Sequence, residues 1–267
     1  MKLYWVDAFT NRLFTGNPAG VVPLESWPDA AVMQRIAFEN GLSETAFFIR
    51  TAPDRFHLRW FTPRVEMDLC GHATLASAFV LFHHLKQGGE TIHFDTRSGA
   101  LSVARRGDRL ELDFPAQPPA PVAPSAELAR ALGATPAMYL RSATRWLAVF
   151  ERATEVRTLH PDHALLEKIV PGRISITAPG DDCDFVSRTF VPDAGIPEDP
   201  VTGSAHCTLV PYWAARLGRR QLHARQVSAR GGELWCELVH STGSGPAGDR
   251  VKIAGHAVLY LEAEIHA

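Results

Sequence analysis

The chain has 267 residues, 46% of them hydrophobic, and a formal net charge of -2. That length and apolar content suit one large domain or two of ordinary size. The near-neutral balance excludes a general electrostatic attraction to nucleic acid or to an anionic membrane, but not a local basic pocket.

In chain order, Lys2–Phe9 reads as a strand. Thr15–Gly20 reads as a turn or loop from its Gly, Asn and Pro content, with a short strand following at Val21–Leu24. Asp29–Asn40 carries apolar residues at helical spacing, with Asp29 placed to cap the helix and Gly41 to stop it. Thr45–Ile49 and Arg55–Phe61 are strand-like. A longer helix is predicted from Gly71 to about Leu85 on the spacing of Leu75, Ala78, Phe79 and Phe82. Strands return at Thr91–Phe94, Ala100–Arg105 and Arg109–Phe114.

Pro115–Pro124 holds five prolines in ten residues, which deny it helical or central-strand hydrogen bonds. The main domain boundary is placed there. The expected domains are 1–115 and 116–255. A helix capped by Ser125, a strand at Trp146–Phe150, a helix at Pro161–Ile169 and a strand at Ile174–Thr177 follow. A Gly/Ser loop is expected at Ser241–Gly248, then strands at Arg250–Ile253 and Ala257–Ile265. The mixture of alternating elements and closely spaced strands predicts an α+β fold with mixed sheets around helices.

The start MKLYWVDAF lacks a charged segment followed by a long apolar one, so no signal peptide is expected. No run of about 18 apolar residues predicts a membrane span. Cys70, Cys183, Cys207 and Cys236 form no CxxC pair, and reduced thiols in the cytoplasm are the simplest reading.

The two halves resemble each other. Arg59-Trp60-Phe61-Thr62-Pro63, then Glu66, then Cys70-Gly71-His72-Ala73-Thr74 is echoed by Arg188-Thr189-Phe190-Val191-Pro192, then Asp199, then Thr202-Gly203-Ser204-Ala205-His206. One three-residue insertion aligns them. The similarity fits chance resemblance between two strand–loop–helix units, or a pseudo-twofold protein with two facing helix starts. In the second case Gly71 and Gly203 present free backbone N–H groups and the positive ends of helix dipoles. A carboxylate, or an enolate-like charge developing beside it, is stabilised there.

Glu44, His72 and Asp199 stand out as acid–base candidates beside these glycines. Singly, each also fits a structural role: Glu44 as a solvated strand end or turn cap, Asp199 as a turn residue before Pro200, His72 as a helix-end partner. Proton transfer between carbons needs a base that reloads as an acid, and a desolvated carboxylate with a raised pKa suits that work. Cys70 at a helix start could be a thiolate base. Its counterpart is Thr202, so a two-thiol pair lacks its second thiol, and a structural role is expected for Cys70. There is no GxGxxG, P-loop or HExxH pattern, and His83 and His84 point to different helix faces. No metal and no organic cofactor are expected.

The segments Asp7-Ala8-Phe9-Thr10, Gly16-Asn17-Pro18-Ala19, Ser43-Glu44-Thr45-Ala46-Phe47, Arg59–Pro63, Cys70–Thr74 and Glu198–Ala205 together resemble the PhzF-like (phenazine biosynthesis) family. The resemblance implies the diaminopimelate-epimerase-like fold: two pseudo-symmetric domains, each a mixed sheet wrapped around a central helix, with residues 256–267 returning to the first domain. It implies a cofactor-free isomerase of a biosynthetic process, often a homodimer, that shifts a proton on a small carboxylated substrate. The family's phenazine enzyme does so on a dihydro-hydroxyanthranilate. By that likeness Glu44 is the acid/base, and His72 and Asp199 orient the substrate or share its protons. Gly71, Gly203 and Ser204 bind the carboxylate, and Ser43 and Asn17 belong to the substrate-binding set. Two rivals stand beside this reading. One is an amino-acid epimerase or racemase using Cys70 with a non-thiol partner. The other is a non-catalytic module that binds small acids or another protein.

Overall fold

The structure is a computed structural model that describes residues 1–170, 172–192, 196–240 and 248–267. The loop expected at Ser241–Gly248 lies, apart from Gly248, outside the described residues. The chain divides into two compact units, Met1–Asp113 with Ala254–Ala267, and Phe114–Ile253.

In the first unit β1 (Lys2–Ala8) runs antiparallel to β2 (Asn17–Leu24), which runs parallel to β3 (Glu44–Ala52). β4 (Arg55–Phe61) pairs antiparallel with β3 and with the short β5 (Glu66–Met67), and parallel with β6 (Thr91–Thr96). β7 (Gly99–Arg106) and β8 (Arg109–Pro115) continue as antiparallel neighbours. The C-terminal strand of the chain, Ala257–Glu264, lies antiparallel beside β1.

Two helices serve this sheet. α1 (Ala30–Asn40) starts where Asp29 accepts the Ala31 N–H at 2.8 Å and stops at Gly41, whose φ of 62° suits a residue without a Cβ. A cap of this kind contributes about 1 kcal/mol. α2 (Gly71–His83) is buried from Gly71 through Ala78 and again at Val80–Phe82, and it packs on β1, β2, β3 and β7. A helix apolar on every side is stable only when enclosed, so the sheet wraps around it.

The second unit repeats the strand orientations. β9 (Ala120–Pro121) pairs antiparallel with β10 (Met138–Arg141), and β10 pairs antiparallel with β11 (Arg145–Val149). β11 is parallel to β12 (Arg173–Pro179), and β12 is antiparallel to β13 (Phe185–Val191). β13 is antiparallel to β14 (Ile196–Asp199) and parallel to β15 (Gln221–Gln226), which is antiparallel to β16 (Gly232–Val239). The order antiparallel, parallel, antiparallel, parallel, antiparallel therefore runs through both units. The remaining helices are α3 (Ala126–Leu132), α4 (Ala153–Thr158), α5 (His163–Ile169) and α6 (His206–Leu217). α6 carries Pro211, which cannot donate to the Cys207 carbonyl four residues back. Gln117 N–H donates to that carbonyl at 2.8 Å, so the backbone acceptor is satisfied from outside the helix.

Three local expectations need correction. Asn17–Gly20 is strand, not loop: Gly16 makes the turn at φ 70°, and the run from Ala19 to Val22 is buried beside β1 and β3. The proline-rich segment is not a bare linker, since β9 pairs within the second unit and Val122 N–H donates to the Tyr139 carbonyl at 2.9 Å. The repeat aligns one residue differently after the insertion. Arg59 grips Glu66 at 2.7 and 2.9 Å, and Arg188 grips Glu198 at 2.7 and 2.8 Å, so Glu198 rather than Asp199 is the counterpart of Glu66. The strand register agrees, with Trp60 opposite Met67 and Thr189 opposite Asp199.

Candidate active site

The β1–β2 connection is built to place Asn17. The Asp7 carboxylate accepts the Phe14 N–H at 3.0 Å, and Gly16 takes a backbone conformation in which a Cβ would run into the Ala8 carbonyl. The next residue, Asn17, opens β2 fully buried. Glu44 opens β3 opposite Ala19, and His72 is the second residue of α2. Three element starts thus converge on one buried point, where Glu44 is 8% and His72 4% exposed.

His72 Nε2 lies 3.2 Å from Glu44 Oε2, and His72 Nδ1 lies 3.1 Å from Asn17 Nδ2. An amide nitrogen only donates, so Nδ1 accepts and the neutral ring carries its proton on Nε2, which makes no hydrogen bond among the described residues despite its approach to the carboxylate. Burial pushes the His72 pKa from the ordinary 6.5 down to about 3, so the ring is neutral at physiological pH. Cys70 Sγ stands 3.5 Å from Nδ1. Ser43 is half-buried in the bend before Glu44, and Gly71 is the first residue of α2.

Glu44, Cys70 and His72 each offer a ligand atom within 4.8 Å of the others. Cys70 faces Nδ1 whereas Glu44 faces Nε2, and one metal ion takes only one ring nitrogen. The thiol, the carboxylate and a ring nitrogen thus lie close enough together to exchange protons.

Asp199, Gly203 and Ser204 belong to the second unit and are held by another network. Asp199 ends β14, 8% exposed, and its Oδ2 accepts the Thr202 hydroxyl at 2.6 Å. Gln226 accepts the Thr202 N–H at 2.9 Å and donates to the Asp199 carbonyl at 2.6 Å, which fixes the turn between them. Gly203 opens a 3-10 turn, Gly203–Ala205, that leads into α6, so the helix proper starts at His206 rather than at the glycine. The two helix starts are braced alike. Thr74 Oγ1 donates to the Cys70 carbonyl at 2.5 Å, and His206 Nδ1 donates to the Thr202 carbonyl at 3.0 Å. Ser204 Oγ accepts from Arg145 Nη2 at 3.1 Å.

Residues 6–263 match the family described as phenazine biosynthesis-like protein, PhzC–PhzF. The chain belongs to that family. Among relatives of this PhzF-like chain, an uncharacterized isomerase of Pseudomonas aeruginosa is 50% identical over 99% of the chain and 98% of its own length. The crystal structure of a PhzF-family phenazine biosynthesis protein from Enterococcus faecalis superposes with a TM-score of 0.92 at 44% identity, covering 100% of this chain and 99% of that one. A probable proline racemase from Agrobacterium radiobacter shares the fold at a TM-score of 0.67, with 11% identity and coverage of 99% and 92%. The PhzF-like chain therefore has the diaminopimelate-epimerase-like fold, and the resemblance drawn from its motifs holds. No described helix is long and apolar enough to cross a membrane.

Arg145 and Gln226 escape the motif reading of this PhzF-like site, and Thr202 enters it only as the counterpart of Cys70. Thr202 and Gln226 hold Asp199, and Arg145 holds Ser204. Arg145 was open to notice as a charged residue at the head of an apolar strand, Arg145–Val149. Gln226 carries no such signal, because its role depends on β15 lying beside β13.

Proposed function

We propose that this PhzF-like chain is a cofactor-independent isomerase that moves a proton on a small carboxylated metabolite. The observation that carries this reading is the buried contact between Glu44 and a neutral His72 at 3.2 Å.

The step balances without an oxidant. The Glu44 carboxylate takes a proton from a substrate carbon, the C–H bond breaks, and its electron pair enters the conjugated system that ends on the carboxylate. The same proton, or one exchanged with solvent, returns from Glu44 to another carbon, and the double bond is displaced. His72, neutral and 3.2 Å from Glu44, packs beside the acid/base group and shields it from water. Asp199, held by Thr202 and Gln226, orients the substrate or shares its protons. The backbone at Gly71 and Gly203, with Ser43, Asn17 and Ser204, receives the polar groups of the substrate.

An epimerase that uses Cys70 is disfavoured by the second unit. The Cys70 counterpart, Thr202, commits its hydroxyl to Asp199 at 2.6 Å and is no second base. A panel of cyclic and amino carboxylic acids, followed for isomer formation with wild type and Glu44→Gln side by side, tests the proposal. Turnover in the wild type that falls by about 10²-fold or more in Glu44→Gln supports it. Equal turnover in both defeats it.

A further inference from the structure

The strand pair that carries the acid in the first unit carries two arginines in the second. Ala19 and Glu44 are partners across β2 and β3, and Arg145 and Arg173 are partners across β11 and β12. Thr45 stands opposite Phe61 and Ile174 opposite Phe190, so with the two phenylalanines aligned Glu44 corresponds to Arg173 and Ala19 to Arg145. The two units therefore offer opposite charge at equivalent places.

Arg145 is 2% exposed, and among the described residues it has no carboxylate within ion-pair distance. A buried guanidinium without a carboxylate partner is costly unless it is fully hydrogen-bonded or meets an anion in use. Nη1 donates to Ser175 Oγ at 3.1 Å, Nη2 donates to Ser204 Oγ at 3.1 Å, and Nε makes no hydrogen bond among the described residues. Burial, with Arg173 nearby, lowers the Arg145 pKa to about 10, which still leaves it charged at neutral pH. Ser175 Oγ lies 2.8 Å from Thr189 Oγ1 and both are fully buried, so that arm is absorbed inside the fold. Ser204 is different. It is half-buried beside the 3-10 turn that opens α6, and its oxygen is occupied by an arginine N–H. Its hydroxyl proton is therefore directed away from Arg145, and the neighbouring positive charge makes it a stronger donor.

We propose that Arg145 is a positioning residue that fixes the Ser204 hydroxyl as a donor to an anionic group of the substrate, so that the second unit selects a carboxylate over its uncharged analogue. This deepens the isomerase reading and rests on it for the identity of the ligand as substrate, but its test needs no turnover.

The probes are cyclohex-1-ene-carboxylate and the matching carboxamide, titrated by calorimetry or ligand-observed NMR. Wild type and Glu44→Gln are expected to prefer the carboxylate by about tenfold or more, the size of one charge-assisted hydrogen bond. Ser204→Ala and Arg145→Gln should each lose that preference. Arg145→Gln should add nothing in a Ser204→Ala background, a result that a merely structural arginine would not give. Arg145→Lys keeps the charge without the fork and should recover part of the preference, and it serves where the glutamine variant fails to fold. Equal affinity of wild type for the two probes overturns the proposal. So does a preference that survives in Arg145→Lys and Ser204→Ala undiminished, or a further loss from the arginine change on top of Ser204→Ala. Failure of the isomerase reading would show separately, as carboxylate preference with no turnover on any acid.

Discussion

His72 Nε2 and Glu44 Oε2 lie 3.2 Å apart, with Asn17 on the other ring nitrogen at 3.1 Å. The amide N–H on Nδ1 gives the neutral imidazole one tautomer and one orientation beside the carboxylate. Replacing Asn17 by Ala should leave Glu44 in place but free the ring. Activity on any accepted acid should fall about tenfold through kcat, and His72→Gln should cost about 10²-fold or more. A change confined to KM in both variants would assign the pair to binding instead.

Burial holds both His72, at a pKa of about 3, and His206, at about 4, below the ordinary 6.5. Between those values and 6.5 the unfolded chain binds protons that the folded chain does not. Stability therefore rises with pH across that window. It is complete above about 6.5 and is lost progressively as pH falls toward 4 and then 3. Urea midpoints should drop between pH 7 and pH 5, and His206→Gln should flatten that slope. A midpoint independent of pH in the wild type would contradict the burial of the two rings.

Arg188 is gripped by Glu198 and also donates to the carbonyls of Val156 and Leu159 at 3.1 and 2.6 Å. Glu198→Ala leaves a largely buried guanidinium with only those two acceptors among the described residues. The loss should be about 2 kcal/mol, read as a lower Tm. Asp199→Asn, one residue along, should instead leave Tm nearly unchanged and reduce activity. Equal thermal effects of the two would contradict the alignment of Glu198 with Glu66.

Cys70 touches His72 Nδ1 at 3.5 Å without a second thiol in the equivalent place. Cys70→Ala should reduce turnover by less than about tenfold. Abolished activity, or inactivation by a thiol reagent that Cys70→Ala prevents, would favour the epimerase reading.

Much of this was legible in the residues. Asp29 and Gly41 bracket α1 as their cap chemistry requires, and Gly71 opens α2 because the apolar periodicity begins there. The repeat was readable from Phe61, Phe190, Gly71 and Gly203. Its fine alignment was not, because Glu198 and Asp199 are adjacent acids and only the grip of Arg188 tells them apart. Asn17 read as loop because Gly and Pro signals outweighed a short buried run that pairs on both sides. β16 shows alternating burial along Gly232–Val239, a pattern its sequence carries, whereas the position of Gln226 under Asp199 follows only from the pairing of β15 with β13.

Solvent-deuterium exchange tests the central claim most directly. The protein is incubated in D₂O with the panel of cyclic and amino carboxylic acids, and mass spectrometry follows deuterium in substrate and product. The account predicts uptake or isomer formation with the wild type that disappears in Glu44→Gln and survives in Cys70→Ala. Uptake that persists in Glu44→Gln and vanishes in Cys70→Ala would contradict it.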